Sequence, residues 1–317
     1  MARYLVGFVL LWLFFYGIFR LFPYVSAGAD VVYRAKIHQE FSGVVFSEDH
    51  PGKRVLIFGS SKVLAGFVPA YFDQPTTAAV SKYYSYNSGY PARSTFVPQL
   101  SEMVKRRTGV PDILLLTLPW NSTANHINLL HPALSDHDAA EAVFPFRYLI
   151  RDFVSFLLSA REHGGPLKYY RQAHANVERV IDDRGYYFVS EQSRYQSDSL
   201  PDDFRLPSDE PAVVLNRSAD AGSAELKELN RIVEMHQIKC YFVPQYMREG
   251  EYAPPPATDI AFAELLRRNS SCKQLGPDYY LYPNRMFSDR AHLNRDGARV
   301  YTKAIYELLN HEADEER

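Results

Sequence analysis

The apolar positions of the chain fall into three regimes. From Tyr4 to Phe19 they are unbroken, YLVGFVLLWLFFYGIF, with Arg3 before them and Arg20 and LFPYV after. With the Arg20 side chain reaching past the apolar stretch, this length approaches the ~20 residues a helix needs to cross a bilayer. Two readings fit. An uncleaved anchor puts Arg3 on the cytoplasmic side and the rest of the chain outside. A cleaved signal peptide would use the small residues of Val25-Ser26-Ala27. The run is long for a signal-peptide core and rich in Phe and Trp, which favours the anchor. Both readings set residues 1–27 apart and place 28–317 in the periplasm or outside the cell. A buried core helix is a third reading, but no other segment offers it a matching apolar face.

The second regime is a rhythm of short apolar runs and helical spacings. A polar segment to about Pro51 reads as a stalk or first layer. VLIFG (55–59) is then a continuous run, as expected of a parallel strand buried on both faces. LAGFVPAYFD follows as a helix with either a proline near its start or a break. AAVSKYYSYNSG (78–89) reads as a strand ending in a turn, and ARSTFVPQLSEMVKRR (92–107) as a helix with its basic residues at the C-terminal end. DILLLTLPW (112–120) is a third strand. In the third regime, residues 121–222, the rhythm stops. That stretch is rich in His, Asp, Arg and Tyr and holds one clear helical segment, FRYLIRDFVSFLLSAREH (146–163). The alternation resumes with a helix at 223–237, strand KCYFVPQY (239–246), a helix at 257–269, strand YYLYP (279–283) and a last helix over about 296–309, before a charged tail expected to fray. Alternating strands and helices predict an α/β domain, a parallel sheet covered on both faces, with 121–222 as an insertion or cap.

Charge and cysteine content narrow the classes. A net charge of −2 supplies no basic excess for nucleic acid. The two cysteines, Cys240 and Cys272, form a disulfide in an oxidising compartment or remain two buried thiols; sequence leaves both open. Neither has zinc-site spacing. The 23 Tyr and 20 Phe suit carbohydrate-stacking surfaces and ordinary cores alike, so they decide nothing.

Ligands of a parallel sheet bind at the carboxyl ends of its strands. Three such ends carry small or polar residues: Gly59-Ser60-Ser61, Asn87-Ser88-Gly89 and Trp120-Asn121. A fourth element, FSDRAHLNRDGARVY (287–301), puts Asp289 and His292 three apart before the last helix. A serine becomes a nucleophile when an imidazole takes its proton and a carboxylate orients that imidazole. Taken singly, each motif has a plain structural reading: a small residue ending a strand, or Asn294 and Asp296 as helix caps. Ser60 competes with Ser61.

GSS after the first strand, NSG after the second, LPWN after the third and DRAHLNRDG before the last helix resemble, in order and over residues 54–310, the four blocks of the SGNH (GDSL-like) hydrolase superfamily. The resemblance implies a three-layer α/β/α flavodoxin-like fold and carries the nucleophile onto Ser61, the acid onto Asp289 and the base onto His292. The oxyanion donors would be the amides of Ser61 and Gly89 and the side chain of Asn121. Gly-Ser-Ser stands where the family usually has Gly-Asp-Ser, and Leu-Pro-Trp-Asn where it usually has Gly-x-Asn. The anchor together with GSS is similar to a membrane-tethered branch that includes alginate O-acetylation and teichoic-acid D-alanylation proteins. That branch works beside a membrane-bound O-acyltransferase on an envelope polymer.

The expected activity is therefore serine-dependent O-acyl transfer or deacylation on a cell-envelope polymer or exopolysaccharide, with no metal and no organic cofactor. The rivals are a generic esterase or lipase and an inactive module that binds polysaccharide or a partner. Arg93 and Arg290 are candidates to touch an anionic substrate, each with a surface role as the alternative. His126, His131 and His137 with Asp136 and Asp138 match no standard metal spacing and read as a solvated loop. FRYLIRDFVSFLL is core, a membrane-surface helix or a docking face, with core the preferred reading.

Overall fold

The computed structural model describes residues 2–26, 31–42, 45–46, 50–73, 81–90, 96–106, 109–117, 146, 148–188, 198–205, 224–251, 270–277 and 279–315. The chain forms two compact units, Met1–Gln39 with Asn128–Asp182, and Glu40–Ile127 with Asp183–Arg317. The expected helix at 257–269 and much of the 121–222 insertion lie outside the described residues.

In the first unit, α1 (Ala2–Leu21) buries none of its residues and is long and apolar enough to cross a membrane. After Phe22 comes the single turn α2 (Pro23–Ser26), and then α3 (Val31–Ser42) runs up to and past the unit boundary. α3 falls in the segment whose sequence reads as a stalk or first layer. Its buried positions include Lys36 and Glu40 beside Val32, Ile37 and Phe41, so polar residues interrupt the apolar stripe that would have announced it. Later in the unit, α7 (Leu149–Glu162) and α8 (Pro166–Asp182) form a hairpin. It turns at Gly164 and Gly165, whose φ of +82° and +107° are left-handed conformations that side chains resist. α8 is a second helix where one was expected. Its buried stripe of Ala173, Val177 and Val180 is made of small residues among charges. Tyr24 of α2 lies against Tyr170 and His174 of α8, and Phe146 lies against Trp12 and Phe15 of α1.

The second unit holds the sheet. Strands β1 (Lys53–Gly59), β2 (Tyr83–Gly89), β3 (Ile113–Thr117), β4 (Lys239–Val243) and β6 (Lys273–Gln274) are parallel, in the order β2-β1-β3-β4-β6. β1 lies inside the sheet between β2 and β3, and it pairs with β2 from Lys53↔Tyr83 to Gly59↔Gly89, which brings two strand ends side by side. Its residues Val55 and Ile57, with Ile113, Leu115, Tyr241 and Val243, share a core with Ala298, Tyr301 and Ile305 of the last helix, α10 (Arg295–Glu315). The alternate residues Leu56, Phe58, Leu114, Leu116 and Phe242 are buried as well, so the sheet is covered on both faces.

Helices α4 (Ser61–Gly66) and α5 (Pro69–Phe72) divide before Pro69, which occupies the first position of α5, so of the two readings of this segment the break is the one found. α6 (Phe96–Arg106) packs with α9 (Ala224–Met235). Two elements differ from expectation. KCYFVPQY is not one strand: Pro244 has no N–H for a ladder and separates β4 from β5 (Gln245–Arg248). β5 and β7 (Tyr279–Tyr282) form their own two-stranded sheet. The charged tail continues α10 to Glu315, helped by Lys273–Glu312 and Lys303–Glu307 pairs. Cys240 and Cys272 are joined in a disulfide, Cα to Cα 4.4 Å, which ties the short edge strand β6 to β4.

Candidate active site

β1 ends at Gly59, where a Cβ would collide with the side chains of Val63 and Thr117; only glycine lets the strand turn directly into α4. The two serines after it then divide the work. Ser60 is the N-cap: its Oγ accepts from the Lys62 amide at 3.3 Å. Ser61 opens the helix, and its Oγ lies 2.9 Å from His292 Nε2.

α4 is fixed from three sides. Asn87, fully buried on β2, donates through Nδ2 to the carbonyls of Val63 (2.8 Å), Phe67 (2.7 Å) and, more weakly, Leu64 (3.3 Å). Thr302 of α10 accepts from the Val68 amide at 3.0 Å and donates to the Gly66 carbonyl at 3.2 Å. Tyr246 of β5 donates its hydroxyl to the Lys62 carbonyl at 2.9 Å, while Lys62 Nζ donates back to the Tyr246 carbonyl at 3.1 Å. These contacts tie the short helix to β2, β5 and α10, so Ser61 is held by a rigid support.

His292 comes from a tight loop between Phe287 and Leu293, which form an antiparallel bridge. The Ser288 amide donates to the His292 carbonyl at 2.9 Å, and Asn294 Oδ1 caps α10 by accepting from the Gly297 amide at 3.0 Å. Within the loop, Asp289 Oδ2 is 2.8 Å from His292 Nδ1, and Asp289 Oδ1 accepts from the amides of Ala291 (2.7 Å) and His292 (2.8 Å). Burial by itself would raise the Asp289 carboxyl. The hydrogen bond and charge of His292 and the two amides outweigh it and hold the group below the ordinary carboxylate range. The His292 side chain is 17% exposed and that of Asp289 38%, so solvent reaches the group. With an ionised Asp289 accepting at Nδ1, the imidazole carries its proton there and presents Nε2 as an acceptor to Ser61. The three groups can therefore draw a proton from the serine hydroxyl.

Of the other residues singled out, Gly89 lies at the end of β2 against α4, where a Cβ would collide with the Leu64 backbone, and its amide donates to Asn87 Oδ1 at 2.8 Å. The side chain of Arg290 is exposed; its carbonyl accepts from Arg248 Nε at 3.0 Å. Asn121 and Arg93, and with them His126, His131, His137, Asp136 and Asp138, lie outside the described residues. Among the described residues no cluster of three His, Cys, Asp or Glu side chains could hold a metal ion.

Two supporting residues carry no signal in the sequence. Asn87 stands at a strand end, and nothing in its neighbours says that its amide spans to α4. Arg248, 1% exposed, bonds the Arg290 carbonyl and Asn284 Oδ1 (3.2 Å) and covers the Phe204 ring, which fixes the Asp289–His292 loop from behind. An arginine after a strand gives no such signal. No family model, no curated protein and no solved structure matches the chain.

Proposed function

We propose that the protein is a membrane-anchored serine acyl-transfer enzyme of the SGNH type, acting on an acylated envelope polymer or exopolysaccharide outside the cytoplasm. The observation that carries the reading is the unbroken chain Ser61 Oγ–His292 Nε2 at 2.9 Å and His292 Nδ1–Asp289 Oδ2 at 2.8 Å. His292 takes the Ser61 proton as Oγ bonds to the acyl carbon, then gives it to the departing alkoxide, leaving acyl-Ser61. Water or a sugar hydroxyl, deprotonated in turn by His292, removes the acyl group. The Ser61 amide, in the first turn of α4, is a donor for the oxyanion. The Gly89 amide would join it by exchanging its bond to Asn87, and Asn121 is the third candidate.

Further support is structural. Counted in chain order, the strands of the main sheet run 2-1-3-4-5, the order of flavodoxin-like folds, with Ser61 at the end of the strand where the order reverses. The disulfide fits an oxidising compartment. The contacts of Trp12, Phe15 and Tyr24 within the first unit would be lost on cleavage after Ala27, which favours a retained anchor. Polymer made at the membrane, with a membrane-bound O-acyltransferase as donor, is the setting in which such tethering is useful.

One observation favours a binding role instead: the Gly89 amide is already engaged. The test is hydrolysis of p-nitrophenyl acetate by the full chain in detergent, beside Ser61→Ala and His292→Ala. Turnover lost in both variants supports the enzyme. A folded parent that neither turns over nor reacts at Ser61 with a fluorophosphonate supports the binding module and overturns catalysis.

A further inference from the structure

Helix α7 has three faces. Leu149, Asp152, Phe156 and Ala160 are buried. Arg151, Ser155 and Glu162 form an exposed polar arc. Between them, at spacings of three and four, Ile150, Phe153, Val154, Leu157 and Leu158 are 42–75% exposed. Five large apolar side chains on one arc of one helix are not scattered surface residues.

Their position relative to α1, in the same unit, says what covers them. Phe146, three residues before α7, packs on Trp12 at 6.1 Å and Phe15 at 5.9 Å between ring centres. These two residues lie well inside α1. At 1.5 Å per residue they are roughly 8–12 Å along the helix from Arg20, the charge that ends the apolar run. Tyr24, just beyond Arg20, packs on α8. A membrane that contains α1 therefore reaches Phe146, while α7 itself packs beside α2, the turn that follows Arg20, which sets the helix near the boundary between acyl chains and headgroups. Interfacial helices bury their apolar faces about 5–10 Å into that boundary. The flanking groups suit it: Arg151 stacks on the Tyr148 ring at 4.3 Å, and Arg20 is an exposed cation at the end of the apolar run of α1. Arg161, exposed one turn after Leu157, closes the apolar arc at the C-terminal end of α7, from where its long side chain can reach headgroups.

We propose that α7 is a second membrane-contacting element, lying in the bilayer surface beside α1 with the Ile150–Leu158 arc among the acyl chains. This rests on the reading of α1 as a membrane span. The first unit then grips the bilayer at two places.

The experiment uses single cysteines on the full chain, which is clean because its two native cysteines are bonded to each other. Nitroxide labels are placed at Phe153→Cys and Leu157→Cys, at Ser155→Cys and Glu162→Cys, and at Leu13→Cys in α1. The protein is reconstituted in liposomes of phosphatidylcholine and phosphatidylglycerol, and collision with oxygen is compared with collision with a water-soluble nickel chelate. The expected result is a several-fold higher oxygen-to-nickel ratio at 153 and 157 than at 155 and 162, with 13 in lipid. Labels at 153 and 157 open to nickel while 13 is in lipid would overturn the proposal and leave the anchor standing. Labels at 153 and 157 shielded from both reagents would mean a protein surface, such as a second copy, covers the arc, and would also overturn it. A label at 13 open to nickel would overturn the anchor, and the proposal with it.

Discussion

Asp289→Asn separates orientation of the base from the fold around it. Asp289 Oδ1 accepts from two backbone amides, those of Ala291 at 2.7 Å and His292 at 2.8 Å. An asparagine in that rotamer must keep its oxygen on these donors, because its NH₂ there would face two N–H groups. Its NH₂ then points at His292 Nδ1, now 2.8 Å from a donor instead of an acceptor. The imidazole proton moves to Nε2 and is directed at Ser61 Oγ, and His292 can no longer accept the serine proton. In a serine triad this wrong tautomer costs about 10⁴ in rate, or about 5 kcal/mol of transition-state stabilisation. The loop keeps both amide bonds, so the variant stays folded; Asp289→Ala would lose them as well, at about 1–3 kcal/mol for each donor left buried. The assay is the second-order rate of fluorophosphonate labelling at Ser61, which needs no knowledge of the natural substrate, beside a urea melt of the same sample. An Asp289→Asn protein that labels within about tenfold of the parent would refute the tautomer argument.

Asn87→Ala removes the donors to the carbonyls of α4 and the acceptor of the Gly89 amide in a fully buried place, and is expected to lower stability by about 3–5 kcal/mol in urea titration. Cys240→Ser/Cys272→Ser opens a link across 32 residues and should cost about 3–4 kcal/mol, read as the difference between the melts of parent and variant under non-reducing conditions. The carboxyls of Asp289 and Asp112 are both depressed in the folded state. For Asp112, burial raises the group, and its bonds to Arg54 outweigh that. A depressed carboxyl stabilises the fold above its ordinary value and loses that contribution as pH falls through the folded one. Unfolding free energy should therefore decline below about pH 4, and Asp112→Asn should flatten the decline in urea melts taken over a pH series.

Local chemistry in the chain determined a good deal. VLIFG had to be a buried strand, GSS after it a tight turn, and Asp-x-x-His a loop in which carboxylate and imidazole meet. The run from Tyr4 to Phe19 had to be a helix that water does not favour. Each follows from the side chains of a short segment and their spacing. Where burial was bought with polar residues, the same reasoning missed: α3 hides Lys36 and Glu40, and its pattern looks like a stalk. The strand at 239–246 failed differently, because one proline redirected half of it into a second sheet. Only the tertiary structure decided which serine faces the imidazole. Ser61 and His292 are 231 residues apart and meet because β1 lies between β2 and β3, Asn87 and Thr302 fix α4 over its end, and Arg248 holds the loop that carries His292. Hydrophobic periodicity reports whether a segment is buried. It carries no term for which buried segment lies beside it, and that pairing is what turns a serine at a strand end into one with a base 2.9 Å away.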